Sequence, residues 1–352
     1  MKVDKLELVK AISRLKSVVQ KNEKIKALEG ILIKDGYLTA SNTELTVQVK
    51  LEASEGERFI IPMKAFDLIK SLPDGEVNIA ADEKYMVKIQ TGKIKNSYQS
   101  YDPASFRYEI TPVEGDGVKL PCEKLMEAIG NVAYAAADKS SNAAMTGIYF
   151  DGVENELRVV GLNGCGIALD RIPMGKVTTD IKVIIPKPTI KKLLSLGLNS
   201  NIDFLYDKGC AIFKTEECTV YTRTIEGKYF PYEKMFMPFD NIATVNKMPL
   251  LEAIERAKLC TDGTEPAIFY ISGQELELHI RDSLTDYCEN IHLREGPRKA
   301  VRIGFNIGLL YEAIKTFPDD EIYIDLNGPK QPVIFNGKGT AQTLLLPVRI
   351  KE

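Results

Sequence analysis

The sequence of 352 residues carries 46 Lys and Arg against 49 Asp and Glu, a formal charge of −3, with 44% hydrophobic and 27% charged residues. At about 150 residues per domain this length predicts two or three domains, with enough apolar chain for real cores and too much for disorder. No apolar run approaches the roughly 18–20 residues of a membrane span, the start MKVDKLELVKAISRLKS holds no unbroken apolar stretch of a secretory signal, and a near-neutral total excludes a surface basic all round for coating nucleic acid.

In chain order, the first predicted element is a helix over residues 6–19. Leu8, Ile12, Leu15 and Val19 form its apolar stripe, while Lys10, Arg14, Ser17 and Lys21 form a second stripe of the same spacing on another face. Lys24 and Lys26 follow directly. Asp35-Gly36 predicts a tight hairpin, because glycine tolerates the positive φ of a type I′ turn, and residues 45–51 alternate as a half-buried strand. A second helix over 61–70, bearing Lys64 and Lys70, ends at Pro73-Asp74-Gly75 before a strand over 76–79.

The pattern then recurs. A helix is predicted over 122–136, a hairpin turn at Asp151-Gly152, a helix over 185–194 with Lys187 and Lys191 at i, i+4, and a strand over 199–204. A third round gives a helix over 249–260, a turn at Ser272-Gly273, a strand over 276–280, a helix over 305–315 and a strand over 321–324. Strands over 333–335 and 342–346 flank a turn at Gly337–Thr340. The predicted turns are 116 and 121 residues apart (151 − 35 and 272 − 151), close to a third of the chain. Six helix-plus-strand units in three repeats, with period-two strands covered on one side by helices, make the class α+β with antiparallel sheets.

Catalytic signatures are missing. Gly161-Leu162-Asn163-Gly164-Cys165-Gly166 has the wrong glycine order for a dinucleotide loop and no Lys-Ser/Thr for a P-loop, and a strand follows it, so it reads as a turn or bulge. No GxSxG, HExxH or Ser/His/Asp arrangement occurs, so no enzyme and no cofactor is expected. The six cysteines, at 122, 165, 210, 218, 260 and 288, form no CxxC pair; reduced thiols in a cytoplasm are expected. His279 and His292 fall short of a structural metal set. Basic residues on any one of these helices read first as a solvated face; their recurrence on several helices favours the alternative of a surface that binds nucleic-acid backbone without reading sequence.

The threefold repeat, Glu156–Gly161 running into Leu162-Asn163-Gly164, Glu226-Gly227-Lys228-Tyr229-Phe230-Pro231, Ile303-Gly304-Phe305-Asn306 and Leu345-Leu346-Pro347-Val348-Arg349-Ile350 together resemble the bacterial DNA polymerase III beta subunit family, over essentially the whole chain. The resemblance implies the DNA clamp fold: three similar domains, expected at 1–113, 114–240 and 241–352, each with two helices on antiparallel sheets, and a head-to-tail homodimer closed as a ring around duplex DNA. It implies a processivity factor in DNA replication, with DNA polymerase III and clamp loader subunits as partners through short peptide motifs. Lys10, Arg14, Lys21, Lys24, Lys26, Lys64, Lys70, Lys139, Lys187 and Lys191 would then face DNA. The peptide pocket would comprise Met145, Leu162, Gly164, Cys165, Gly166, Ile167, Pro231, Met235, Phe236, Leu309, Leu344, Leu345, Leu346, Pro347, Val348 and Arg349. At the dimer seam, a strand over 95–101 with Asn96 and Tyr98 would meet Leu259 and Cys260 of the other copy.

Two departures stand out. The family usually has Thr-Asp-Gly-His-Arg where this chain reads Leu162-Asn163-Gly164-Cys165-Gly166, which removes a cation and a ring from the pocket wall. The loop from Asp138 to Ala144 has small residues where relatives often carry aromatic and basic ones. The rival expectation is a clamp-like β-rich interaction scaffold that never encircles DNA.

Overall fold

The computed structural model describes residues 1–108, 110, 116–175, 181–207, 209–237, 239–263 and 265–350. They form two compact units, Met1–Cys122 with Lys192–Thr224, and Glu123–Lys191 with Ile225–Glu352. The expected boundary at 113/114 lies outside the described residues. The expected middle segment, 114–240, contributes to both units, because its strands extend sheets begun by other parts of the chain.

In the first unit, one sheet has eight strands in the spatial order Arg58–Pro62, Gly30–Lys34, Tyr37–Ser41, Leu45–Lys50, Cys218–Arg223, Cys210–Lys214, Ile202–Asp207 and Asp116–Leu120. A second sheet has four: Lys2–Asp4, Glu76–Ala81, Met86–Thr91 and Ile94–Gln99. Helix α1 (Lys5–Lys16) starts at Asp4, whose carboxylate accepts from the backbone N–H of Leu6 at 2.8 Å and Glu7 at 3.3 Å, satisfying donors that a helix start leaves open. Leu8, Ile12, Leu15 and Val19 are all buried, although the helix ends at Lys16, earlier than predicted. Helix α2 (Phe66–Ser71) is short and follows a 3₁₀ turn, Met63–Ala65.

In the second unit one sheet runs through twelve strands: Lys182–Pro186, Gly147–Val153, Glu156–Leu162, Gly166–Pro173, Gln342–Leu345, Val333–Asn336, Glu321–Leu326, Asn241–Asn246, Asp286–Glu295, Glu275–Arg281, Ala267–Ser272 and Val301–Phe305. The remaining helices are α3 (Cys122–Val132), α4 (Lys187–Ser195), α5 (Lys247–Leu259) and α6 (Ile307–Thr316). Leu250, Ala253, Ile254 and Ala257 of α5 and Leu310, Ala313 and Ile314 of α6 are buried in one apolar core with the sheet.

Several element limits differ from the sequence expectation. Pro62, Pro186 and Phe305 close strands instead of opening helices, pairing with Gly30, Gly147 and Ala267; a proline lacking an N–H is tolerated at such a strand end. Of the three repeating turns only the first stands where expected, with Asp35 at φ 47° and Gly36 at φ 86°, while the turn predicted at Gly337–Thr340 does join the strands Val333–Asn336 and Gln342–Leu345. Asp151 and Gly152 lie within the ladder opposite Arg158 and Leu157, and Glu154-Asn155 makes the turn, with Glu154 at φ 53°. Gly152 is there for close approach: its N–H donates to the Ile181 carbonyl at 2.8 Å, and a Cβ would meet the Ile181 side chain at 3.0 Å. Ser272 pairs with Glu275, so the third turn is Gly273-Gln274, with Gly273 at φ 56°. The true turns are 119 residues apart in both steps (154 − 35 and 273 − 154), a more regular repeat than the sequence alone suggested.

Candidate functional site

The site is built on strands Glu156–Leu162 and Gly166–Pro173 and the loop between them. The Asn163 side-chain oxygen accepts from the backbone N–H of Cys165 at 3.0 Å and Gly166 at 3.1 Å, and Gly164 takes φ 83°, an Asx turn completed by a glycine in the left-handed region. Gly166 pairs with Leu345, and a Cβ on Gly166 would lie 2.9 Å from the Leu344 carbonyl oxygen. The absent side chain therefore lets the C-terminal strand lie close, and Leu346 N–H donates to the Cys165 carbonyl at 2.9 Å.

Alternation then divides the side chains. Leu162, Ile167 and Leu344 face one side in an apolar cluster with Val160, Leu169 and Ile334, whereas Leu345 turns into the core of α5 and α6. Over the first face lies the segment that begins at Ile225. Tyr229 stacks on Tyr149 with ring centroids 4.6 Å apart and donates to the Val160 carbonyl at 3.1 Å. Tyr232 donates to the buried Asp151 carboxylate at 2.6 Å; burial first, and the carboxylate second, raise the Tyr232 phenol above its ordinary pKa.

Beside this cover an apolar cavity of about 220 Å³ stays open, lined by Met145, Leu162, Gly164, Gly166, Ile167, Phe230, Met235, Leu344 and Leu346. Among the described residues no charged side chain lines it. It suits one or two apolar side chains of a ligand, and its methionines can adapt to shape. Eight of these residues were among the sequence candidates. Phe230, 42% exposed, was not, although it sits beside Pro231 in the segment that carried the resemblance.

Other candidates lie nearby in different roles. Cys165 is exposed at the loop, and the Leu309 side chain stands 3.4 Å from where a Gly166 Cβ would be. Phe236 packs against the same apolar cluster as Met235. Pro231 and Arg349 are exposed, Pro347 is half-buried, and Val348 donates its N–H to the Gly304 carbonyl at 2.8 Å.

The basic candidates divide by partner. Lys10, Lys21, Lys24, Lys64, Lys70, Lys139 and Lys191 are exposed. Lys26 pairs with Glu29 at 2.9 Å. Arg14 pairs with Glu217 at 3.1 Å, and Lys187 is held by Asp138 at 2.9 Å and the Ala136 carbonyl at 2.6 Å. Lys10 and Arg14 border a cleft of about 340 Å³ that also carries Lys50 and the acidic Glu7, Glu52, Glu216 and Glu217. Charge there is mixed rather than uniformly positive.

Two sheet edges complete the picture. Ile94–Gln99 is an edge strand, exposed but for the half-buried Tyr98. Tyr98 and Asn96 pair with the buried Val87 and Ile89, so both point to the core side of that sheet. In the other unit, among the described residues, strand Asp286–Glu295 pairs along residues 286–292 with Glu275–Arg281 alone, and reaches Asn241–Asn246 only at Leu293 and Glu295. Its Tyr287 hydroxyl donates to the Glu289 carboxylate and lies 3.4 Å from the Ala253 carbonyl of α5, and Glu289 also takes two bonds from Arg256, at 3.0 and 2.6 Å, which hold that carboxyl below its ordinary pKa. Leu259, 88% exposed, and the half-buried Cys260 end α5 on this same side.

Among the described residues no group of three or more His, Cys, Asp and Glu is placed to hold a metal, and no helix is long and apolar enough to cross a membrane. His279 bonds to Asp286 at 2.7 Å, and all six cysteines are free thiols.

Beta sliding clamps of Staphylococcus aureus are 23% identical over 331 residues, covering 89% of this chain and 88% of theirs. A crystal structure from Eubacterium rectale matches at 28% identity with a TM-score of 0.91, covering 99% of this chain and 98% of that one. The beta subunit from DNA polymerase of Streptococcus pyogenes matches at 19% identity and TM-score 0.92, over 99% of both chains. The sliding clamp of Pseudomonas aeruginosa bound to griselimycin matches at 18% and 0.92, also over 99% of both; at these identities the likeness shows the three-domain clamp fold. Family models for the DNA polymerase III beta subunit match end to end, the N-terminal domain over 1–113, the central domain over 119–231 and the C-terminal domain over 235–349. Successive thirds of this chain thus match successive domains of a single protein, and the chain belongs to the DNA polymerase III beta subunit family.

Proposed function

We propose that the protein is a sliding clamp: two copies, each of three domains at 1–113, 114–240 and 241–352, close head to tail around duplex DNA and hold the replicative polymerase on its template. The observation that carries this reading is an unfinished repeat in strand pairing. Leu45–Lys50 of the first third takes Cys218–Arg223 as its neighbour, and Gly166–Pro173 of the middle third takes Gln342–Leu345. In each case the last strand of one third extends the sheet of the third before it. The counterpart strand of the last third, Asp286–Glu295, has an open edge, and the counterpart last strand of the first third, Ile94–Gln99, is an edge as well. Open edges are sticky, and pairing these two between copies satisfies both, repeating the same step until the assembly closes. Asn96 and Tyr98 then meet Leu259 and Cys260.

Topological linkage replaces tight binding, so the mixed charge around Lys10 and Arg14 suffices for a backbone-directed, salt-sensitive contact with DNA. The protein acts without chemistry of its own. A clamp loader and the polymerase dock short peptides in the apolar cavity with affinity of about micromolar, roughly −8 kcal/mol. With no charged group among the described residues of the wall, the docked side chains are apolar, and griselimycin, the ligand of the P. aeruginosa relative, is a suitable probe.

Solution mass and a loading assay test the reading. A closed dimer has twice the 39.3 kDa chain mass, and after loading it is retained on circular DNA and lost when the circle is cut. A chain that stays monomeric at micromolar concentration, or that leaves circular and linear DNA alike, would instead be the scaffold that never encircles DNA.

A further inference from the structure

We propose that Tyr232 and Asp151 are positioning residues for the cavity: their buried hydrogen bond pins the segment that forms one of its walls. This rests on the reading of the cavity as a ligand site. Along the covered sheet face, residues change character from one end to the other. Leu162, Ile167 and Leu344 make the apolar end at the cavity, while Asp151, its cross-strand neighbour Arg158, Glu156 and Arg171 make the charged end. The covering segment is fixed at the charged end and supplies the wall at the other.

The fixing is specific. Tyr232 is 2% exposed and gives its hydroxyl to Asp151 at 2.6 Å, and the Tyr149 hydroxyl reaches the other carboxylate oxygen at 3.4 Å. Glu233 stands 3.9 Å from Arg158. The 3₁₀ turn Tyr232–Met235 starts at that bond and ends at Met235, a cavity residue, while Phe230 precedes it and lines the cavity too. One turn of backbone thus transmits the Tyr232 anchor to both wall side chains. A buried carboxylate stripped of its donor loses far more than an exposed one, so the anchor has few alternative positions.

The test compares Tyr232→Phe and Asp151→Asn with the parent protein and with Ile254→Val, a change in the α5 core that lowers stability without touching this segment. Griselimycin binding is measured by calorimetry, and backbone hydrogen exchange is followed by mass spectrometry. Expected are an approximately tenfold loss of griselimycin affinity in both anchor variants and faster exchange confined to residues 225–237, with α5 and α6 unchanged. Ile254→Val should leave griselimycin affinity and the exchange of residues 225–237 at parent values. Parent-like affinity and exchange in Tyr232→Phe would overturn the anchor, as would an equal loss in Ile254→Val. If the parent protein itself ignores griselimycin while the anchor variants exchange faster, the ligand reading of the cavity fails and the anchor stands.

Discussion

Lys192 and Ser17 stand 175 residues apart in the chain, and the Lys192 ammonium donates to the Ser17 hydroxyl at 2.8 Å. Lys192 is only 7% exposed, and burial lowers its pKa from the ordinary value of 10.5. A cation with one neutral hydroxyl for a partner is poorly repaid for its lost hydration. It ties α4 to the chain just past α1 at a cost in stability.

Replacing it should therefore help. Lys192→Met keeps the stem and removes the charge, and should be neutral to about 1 kcal/mol more stable near pH 7. The pH dependence follows from the lowered pKa: the folded state sheds the proton first, so the burden is full at neutral pH and is relieved as pH rises toward 10.5. Urea melts of the two proteins at neutral and alkaline pH check this; a gap that widens with pH would contradict it.

Leu259 supplies the seam prediction. In the single chain it is 88% exposed at the end of α5, beside the open edge of Asp286–Glu295. Burying a leucine contributes about 1.5–3 kcal/mol, and an aspartate in its place would have to be dehydrated. Leu259→Asp should weaken dimerisation by at least tenfold to a hundredfold, seen as a shift to monomer mass in sedimentation, while each chain keeps its far-ultraviolet dichroism.

How much was legible in the sequence depended on which interactions decided each feature. Helix stripes such as Leu8, Ile12, Leu15 and Val19 were readable because burial of one face leaves a period in the sequence. The cavity was readable at eight of its nine residues, through likeness to a family rather than through a period: Leu162, Ile167 and Leu344 sit on strands that contact one another, while Phe230, the one missed, lies on an irregular segment held by Tyr229 and Tyr232, where the backbone leaves no period to find. The Asp-Gly rule succeeded at Asp35-Gly36 and failed at Asp151-Gly152, because there a tertiary neighbour, Ile181, and a buried hydrogen bond to Tyr232 account for the glycine and the aspartate. Lys187 looked like a solvent-facing cation, and its pairing with Asp138 and the Ala136 carbonyl depends on a fold that spacing alone does not reveal.

That misplaced turn yields its own prediction. Glu154 carries the left-handed conformation at φ 53° without being glycine or asparagine, which costs roughly 1–2 kcal/mol for an ordinary L-residue. Glu154→Gly relieves this and loses part of the gain to backbone entropy. A net stabilisation of about 0.5–1 kcal/mol is expected, measured as a higher urea midpoint with an unchanged slope. Asp151→Gly, made as though the turn lay there, should destabilise, because it removes the acceptor of Tyr232.

Gly161 offers the sharpest test of the loop that resembled a phosphate cradle. It lies in strand Glu156–Leu162, and a Cβ there would fall 2.5 Å from the Val132 carbonyl oxygen at the end of α3 and 3.3 Å from the Ala136 nitrogen. Both obstacles are backbone, so neither can swing aside as a side-chain tip would. Overpacking of this kind costs typically 1–3 kcal/mol, and Gly161→Ala should reach the upper part of that range, lowering the urea midpoint. The same substitution at Gly164 acts differently. A Cβ there meets nothing within 4 Å, but φ 83° strains any L-residue, so Gly164→Ala should cost about 1 kcal/mol and disturb the cavity rim more than the α3 contact. If Gly161→Ala melted like the parent while Gly164→Ala did not, close packing of α3 against this strand would be excluded as the reason for the glycine at 161.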